Sequence, residues 1–217
     1  MPIEMTYTKS RPDETTTLNS RSQGLLFVLS APSGAGKDTV IQTLQAQGAD
    51  FFVVPSVTTR APRLGESEGN PYYFVDQARF EQMVAEQELL EYACVHGNWY
   101  GQPRQPMRDN LQTGRDVLLK IDVQGATTVR KLIPQAIFVF LHPGSSAELA
   151  QRLEARQTET VEQLQVRLNN AQVELAQQHW YDYLVFNRHD RLQEAVDDLR
   201  AIMRAEHCRV TPRNIVL

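Results

Sequence analysis

The segment Ser30-Ala-Pro-Ser-Gly-Ala-Gly-Lys-Asp-Thr39 constrains the chain more than any other. It follows the apolar run Leu25–Leu29 and opens an amphipathic stretch from about residue 37 to 47. A short, continuous apolar run reads as a strand buried on both faces. Strand, glycine-rich turn and helix, in that order, make a loop that wraps an oligophosphate. The glycines let backbone N–H groups turn inward, and the helix N-terminus adds the positive end of its dipole. Lys37 supplies a compact cation for the terminal phosphates. Against the pattern G-x-x-x-x-G-K-[ST], Ala31 replaces the first glycine and Asp38 replaces the hydroxyl residue that would ligate Mg²⁺. Asp38 adds negative charge beside a triphosphate. Thr39 follows, but about 100° further round the helix.

The rest of the chain alternates strands with helices. Phe51–Val54, Tyr72–Val75, Val117–Ile121, Ala136–Leu141 and Tyr183–Phe186 read as strands. Helices are expected at 77–87, 104–113, 125–133, 146–156, 160–178 and 191–206, with short strands at 89–101 around a Gly97-Asn98 turn. Residues 55–71, rich in Pro, Gly, Thr and Arg, are expected to be a long functional loop. This alternation predicts an α/β fold, a parallel sheet flanked by helices. A length of 217 residues suits one domain with lobes. The net charge of −4 lacks the basic excess of a nucleic-acid binder, so no nucleic-acid partner is expected. Four of the 22 basic residues are lysines; the arginines that make up the rest suit bidentate phosphate contacts. Cys94 and Cys208 have no metal-ligand spacing and read as reduced thiols of a cytoplasmic protein. Residues 1–22 are polar, without the apolar core of a signal peptide, and are expected to be a disordered tail. No apolar run nears the roughly 18 residues of a membrane helix, so no membrane association is expected.

Seven blocks extend the pattern. They are the phosphate loop; Ser56-Val-Thr-Thr-Arg-Ala-Pro-Arg-Leu-Gly-Glu66 with Gly69-Asn-Pro-Tyr-Tyr-Phe74; Leu89-Leu-Glu-Tyr92; Gly97-Asn-Trp-Tyr-Gly101; Ile121-Asp-Val-Gln-Gly125; Arg152-Leu-Glu-Ala-Arg156 with Arg167-Leu168; and Asn187. In this order and spacing the chain resembles guanylate kinase, of the P-loop nucleoside monophosphate kinases, over about residues 24–206. The resemblance implies a P-loop NTPase-type core (23–55, 103–150, 179–207), an inserted mixed α/β GMP-binding lobe (56–102) and a helical lid (151–178). Residues 208–217 remain as a C-terminal tail. It implies transfer of a phosphoryl group from ATP to GMP with Mg²⁺, in a monomer or homodimer. Two alternatives stay open: a ribose 1,5-bisphosphate phosphokinase on the same scaffold, and a binding module that no longer transfers phosphate.

The residue chemistry agrees with that resemblance. Arg60 and Arg63 lie close enough to fork one phosphate, and Tyr72 and Tyr100 offer uncharged donors. A carboxylate at Glu91 can accept both N1–H and the 2-amino group of guanine; adenine offers neither in that arrangement. By resemblance, Ser56, Glu66 and Asp122 join the GMP-binding set. Gln102 stands where the family has Ser or Thr, and its amide can donate to O6. Lys37, Arg60, Arg152, Arg156 and Arg167 are the implied catalytic cations. The resemblance implies that Ala31, Pro32, Ser33, Gly34, Ala35, Gly36, Lys37, Asp38 and Thr39 bind ATP, with Asn187 near its adenine. Asp38 and Asp122 are candidate metal groups, Asp122 through a second shell. Lys120, usually acidic in the family, is expected on the same strand face as Asp122 and within reach of Asp38 or the phosphates, so that the two unusual charges compensate.

Overall fold

The computed structural model describes residues 23–63, 65–95, 97–154 and 161–217; the expected N-terminal tail and Arg156 lie outside them. The strands are β1 (Leu26–Ser30), β2 (Phe52–Val53), β3 (Ser56–Thr58), β4 (Ser67–Glu68), β5 (Pro71–Phe74), β6 (Leu89–Val95), β7 (Asn98–Pro103), β8 (Val117–Lys120), β9 (Ile137–His142) and β10 (Tyr183–Phe186). The helices are α1 (Lys37–Ala46), α2 (Gln77–Ala85), α3 (Arg104–Gln112), α4 (Val123–Leu132), α5 (Ser146–Glu154), α6 (Val161–Ala176) and α7 (Leu192–His207).

The apolar runs form one five-stranded sheet in the order β10-β9-β1-β8-β2. Every pairing in it is parallel. The three inner strands β9, β1 and β8 bury both faces, which is why their runs are continuously apolar rather than alternating, while the edge strands β10 and β2 are only partly buried. On one side Phe27, Leu29, Leu118 and Val139 pack with Val40 and Leu44 of α1 and Val196 and Leu199 of α7. On the other, Leu26, Val28, Leu119 and Phe138 pack with Met107 of α3 and Val129 of α4. The register pairs Leu29 with Lys120, so β8 ends beside the strand that feeds the phosphate loop.

A second sheet has the order β4-β5-β3-β7-β6. It is mixed: β3 runs parallel to β5 and antiparallel to β7. Phe80 and Met83 of α2 cover it, against Val57 and Leu89. Residues 55–71, expected as loop, contain β3 and β4. Those strands span three and two residues, too short for alternation to register in sequence. Asp122 also departs from expectation. It lies past the end of β8 and caps α4, its carboxylate accepting the Gly125 amide at 2.8 Å.

Leu149 of α5 packs on Ala171 and Leu168 of α6. The last residues return to the body: Ile215 is buried in the second core layer, and Gln23 donates to its carbonyl at 2.6 Å. No helix among the described residues is long and apolar enough to cross a membrane.

Candidate active site

Gly34 (φ 88°) and Gly36 (φ 91°) adopt the left-handed region that glycine enters without strain. They turn the chain from β1 into α1. A Cβ at Gly36 would lie 2.5 Å from the Asn187 amide, which donates to Ala35 O at 2.8 Å. Asn187 thus braces the loop from the end of β10. Lys37 folds back to Ala31 O at 2.8 Å. Burial lowers the pKa of its amino group, and Lys120 adds to that, while Glu174, Asp122 and Asp38 oppose it. Pro32 is buried and accepts the Ala35 amide. Thr39 is exposed on α1.

Helices α5 and α6 reach this loop. Arg152 donates to Ala35 O at 3.3 Å and to Asn187 O at 2.7 Å. Arg167 donates to Ser33 Oγ at 2.6 Å. Glu174 accepts from the Ser33 backbone, and its carboxyl pKa is raised chiefly by burial, with Lys37 opposing. The sequence reading omitted Glu174. The available signal was its spacing: seven residues after Arg167 is two turns, hence the same helix face.

The second sheet supplies a different chemistry. Arg60 is gripped by both oxygens of Glu66 at 2.9 Å, and Glu66 also accepts the Arg63 amide at 2.8 Å. Glu66 therefore orients Arg60, and the contacts described for it are with those two arginines. Hydrogen bonding to Arg60 holds its pKa below the usual carboxylate range. The Arg60 guanidinium lies 5.2 Å from the Tyr72 ring centroid, and Tyr72 meets Tyr100 edge-on at 5.9 Å.

Glu91, on β6, is 5% exposed. Its Oε2 has no hydrogen-bond partner among the described residues. Burial, and secondly Asp122, push its pKa up to about 8. Its carboxyl lies over the first turn of α4, where a Cβ on Gly125 would meet Oε2 at 2.8 Å. Nothing in sequence marked Gly125 beyond its place in a block. Gln102 is buried, with Nε2 2.6 Å from Ser56 Oγ and Oε1 unpartnered.

One cavity of 760 Å³ joins the two sets. Its walls include Lys37, Asp38 and Arg167 at one end, Glu91, Tyr72 and Tyr100 at the other, and Lys120 and Asp122 between. Arg60 is not among the lining residues; its guanidinium lies against the ring of Tyr72, which is. The expected pairing of the two unusual charges is present, with Lys120 Nζ 2.5 Å from Asp38 Oδ1.

The whole body has known counterparts. The chain matches the family described as guanylate kinase over residues 23–206. It is 48% identical over 182 residues to the guanylate kinase of Dechloromonas aromatica, covering 84% of this chain and 89% of that protein. It is 45% identical over 184 residues to that of Carboxydothermus hydrogenoformans, covering 85% and 89%. The crystal structure of guanylate kinase from Anaplasma phagocytophilum shares the fold with a TM-score of 0.72 at 35% identity, over 87% of this chain and 89% of that one. A family match along nearly the whole described body, relatives of near-equal length and a shared fold place this chain in the guanylate kinase family.

Proposed function

We propose that the chain transfers the terminal phosphoryl group of ATP to GMP, giving ADP and GDP. The carrying observation is a buried, unpartnered carboxyl oxygen on Glu91 in the same cavity as Lys37 of the phosphate loop. As a carboxylate, Glu91 accepts N1–H and the 2-amino group of guanine. The separation between Gln102 and Ser56 is that of an O–H···O bond. Turning the amide by 180° lets the Ser56 hydroxyl donate to the Gln102 oxygen and frees the NH₂ group for guanine O6. Arg60, Arg63, Tyr72 and Tyr100 hold the acceptor phosphate.

At the donor end the loop amides, Lys37, Arg152 and Arg167 take the ATP phosphates, with Arg156 as a further lid cation. The acceptor is a phosphate oxygen, already deprotonated, so no general base is required. Positioning and charge neutralisation carry the rate. The lid excludes water that would otherwise hydrolyse ATP.

The residues fit a divalent cation that arrives with the nucleotide. Among the described residues no cluster of three or more His, Cys, Asp or Glu side chains is placed to hold an ion unaided. Mg²⁺ accepts this, since it binds through one or two carboxylates together with phosphate oxygens and waters. Asp38 would supply a carboxylate on the loop, and Asp122 would supply a second, acting from the outer shell. A divalent cation held there would supply charge neutralisation to the donor phosphates.

A coupled assay offering GMP, dGMP, AMP and ribose 1,5-bisphosphate with ATP tests the reading. GMP and dGMP are expected to turn over, with AMP at least 10⁴-fold poorer in kcat/KM, the order for a buried polar site facing the wrong partner. Turnover of the ribose bisphosphate alone, or of no acceptor, overturns it.

A further inference from the structure

Lys120 has no role in the function argued so far beyond its contact with Asp38. Three observations give it one. First, its position: it ends β8 beside β1, midway along the cavity between phosphate loop and acceptor sheet. Secondly, its asymmetry with Asp38: the lysine side chain is 16% exposed and the aspartate 69%. A carboxylate so exposed is satisfied by water and needs no neutraliser, whereas placing an ammonium group inside costs desolvation. The pair is poorly explained as a device for Asp38 alone.

Thirdly, two cations flank Tyr72. Lys120 Nζ is 5.7 Å from its ring centroid and the Arg60 guanidinium 5.2 Å. Each is held by a carboxylate of its own, Asp38 and Glu66 respectively. Two cations around one tyrosine describe the surroundings of a dianion. An ammonium group carries three donors on a flexible stem. Asp38 takes one, which leaves two.

We infer that Lys120 is a substrate-contacting residue: its ammonium group leaves the Asp38 carboxylate for the phosphate of GMP and stands between the two phosphates that react. This rests on the GMP-phosphorylating reading above. Asp38 then parks the cation while the acceptor site is empty. It is released as the acceptor dianion takes its place, in time to act on the donor side.

The test is calorimetric titration of GMP, and of guanosine, into the full chain without ATP, in wild type and in Lys120→Met, Lys120→Arg and Asp38→Asn. Lys120→Met should weaken GMP by about ten- to a hundredfold, the worth of a charged hydrogen bond, and leave guanosine within about twofold. Lys120→Arg should keep most of the GMP affinity. Asp38→Asn should bind GMP at least as tightly as wild type, because the cation no longer has to be drawn away. Lys120→Gln repeats the comparison if the methionine variant does not fold. The inference is overturned if a folded Lys120→Met binds GMP as wild type does. Equal weakening of guanosine, or weakening of GMP by Asp38→Asn to the level of Lys120→Met, overturns it too, since either would make the ion pair a structural tie. A wild type that binds no GMP overturns the functional reading itself; a wild type that binds it while Lys120→Met binds equally overturns only the role of Lys120.

Discussion

A carboxyl group inside a protein has two forms with different hydrogen-bonding grammar. Neutral Glu91 offers one acceptor and one donor; ionised Glu91 offers acceptors only. Guanine presents two donors side by side, so GMP selects the ionised form. With the pKa up at about 8, GMP binding near pH 7 must expel a proton from Glu91. Titrations in buffers of different ionisation enthalpy should show wild type releasing up to one proton more than Glu91→Gln, which should itself bind GMP about ten- to a hundredfold more weakly. Equal proton release in the two proteins would sink the assignment. The sign for stability follows from the same group. Between the ordinary value of 4.5 and about 8 the folded chain keeps a proton that the unfolded chain loses. Without nucleotide, stability should therefore fall as pH rises through that window and level off above it. The contribution is at most about 1.4 kcal/mol per pH unit. Denaturant titrations of Glu91→Gln should lack this component. Glu91 as a candidate for reading guanine was legible through its block; its protonation was not, because that depends on burial by residues far away in sequence.

Elements decide how firmly such a residue is held. The first turn of α4 is the floor under Glu91, and Gly125 keeps that floor flat. Gly125→Ala pits two effects against each other. Alanine stabilises a helix by about 1 kcal/mol over glycine, while the new methyl enters the carboxyl's space. The expected outcome is a melting temperature within a few degrees of wild type, a several-fold higher KM for GMP and a smaller change in kcat. An unchanged KM would show that Glu91 does not rest on this turn. Long periodic elements such as α7 were legible because their pattern repeats over several turns. β3 and β4 were not, since tertiary pairing rather than local pattern makes them strands. The contact between Asp38 and Lys120 was legible because the parallel register beside a phosphate loop dictates it. The tie from Glu174 to Ser33 depends instead on how α6 lies across the loop, a packing angle that sequence spacing does not specify.

The molecule as a whole is held at its far end by a polar knot. Glu206 of α7, its side chain 0% exposed, meets Arg213 at 2.8 Å and accepts from the Tyr183 hydroxyl at 2.6 Å. Burial alone would raise its pKa, but bonds to Arg213 and Tyr183 outweigh that and leave it lowered. Arg213→Ala removes the nearer of two cations and leaves Arg209 3.7 Å away, and urea denaturation should show a loss of up to about 3 kcal/mol at neutral pH, shrinking as Glu206 is protonated in acid. A loss under about 1 kcal/mol would make the knot ornamental. Residues 208–217 read only as a tail in sequence, since Thr211-Pro212-Arg213-Asn214 has no periodicity; their anchorage is tertiary, through Arg209 and Arg213 on Glu206 and through Ile215 and Leu217 on the second core layer. Gln23 and Ile215 are 192 positions apart in sequence yet share a hydrogen bond. The two ends of the described chain therefore meet, so that its path closes into a ring with the seam at that bond. The order in which the gene spells the elements is then separable from the site they build: sew the seam, open the ring at exposed Gly48, and the same walls would still enclose the same cavity.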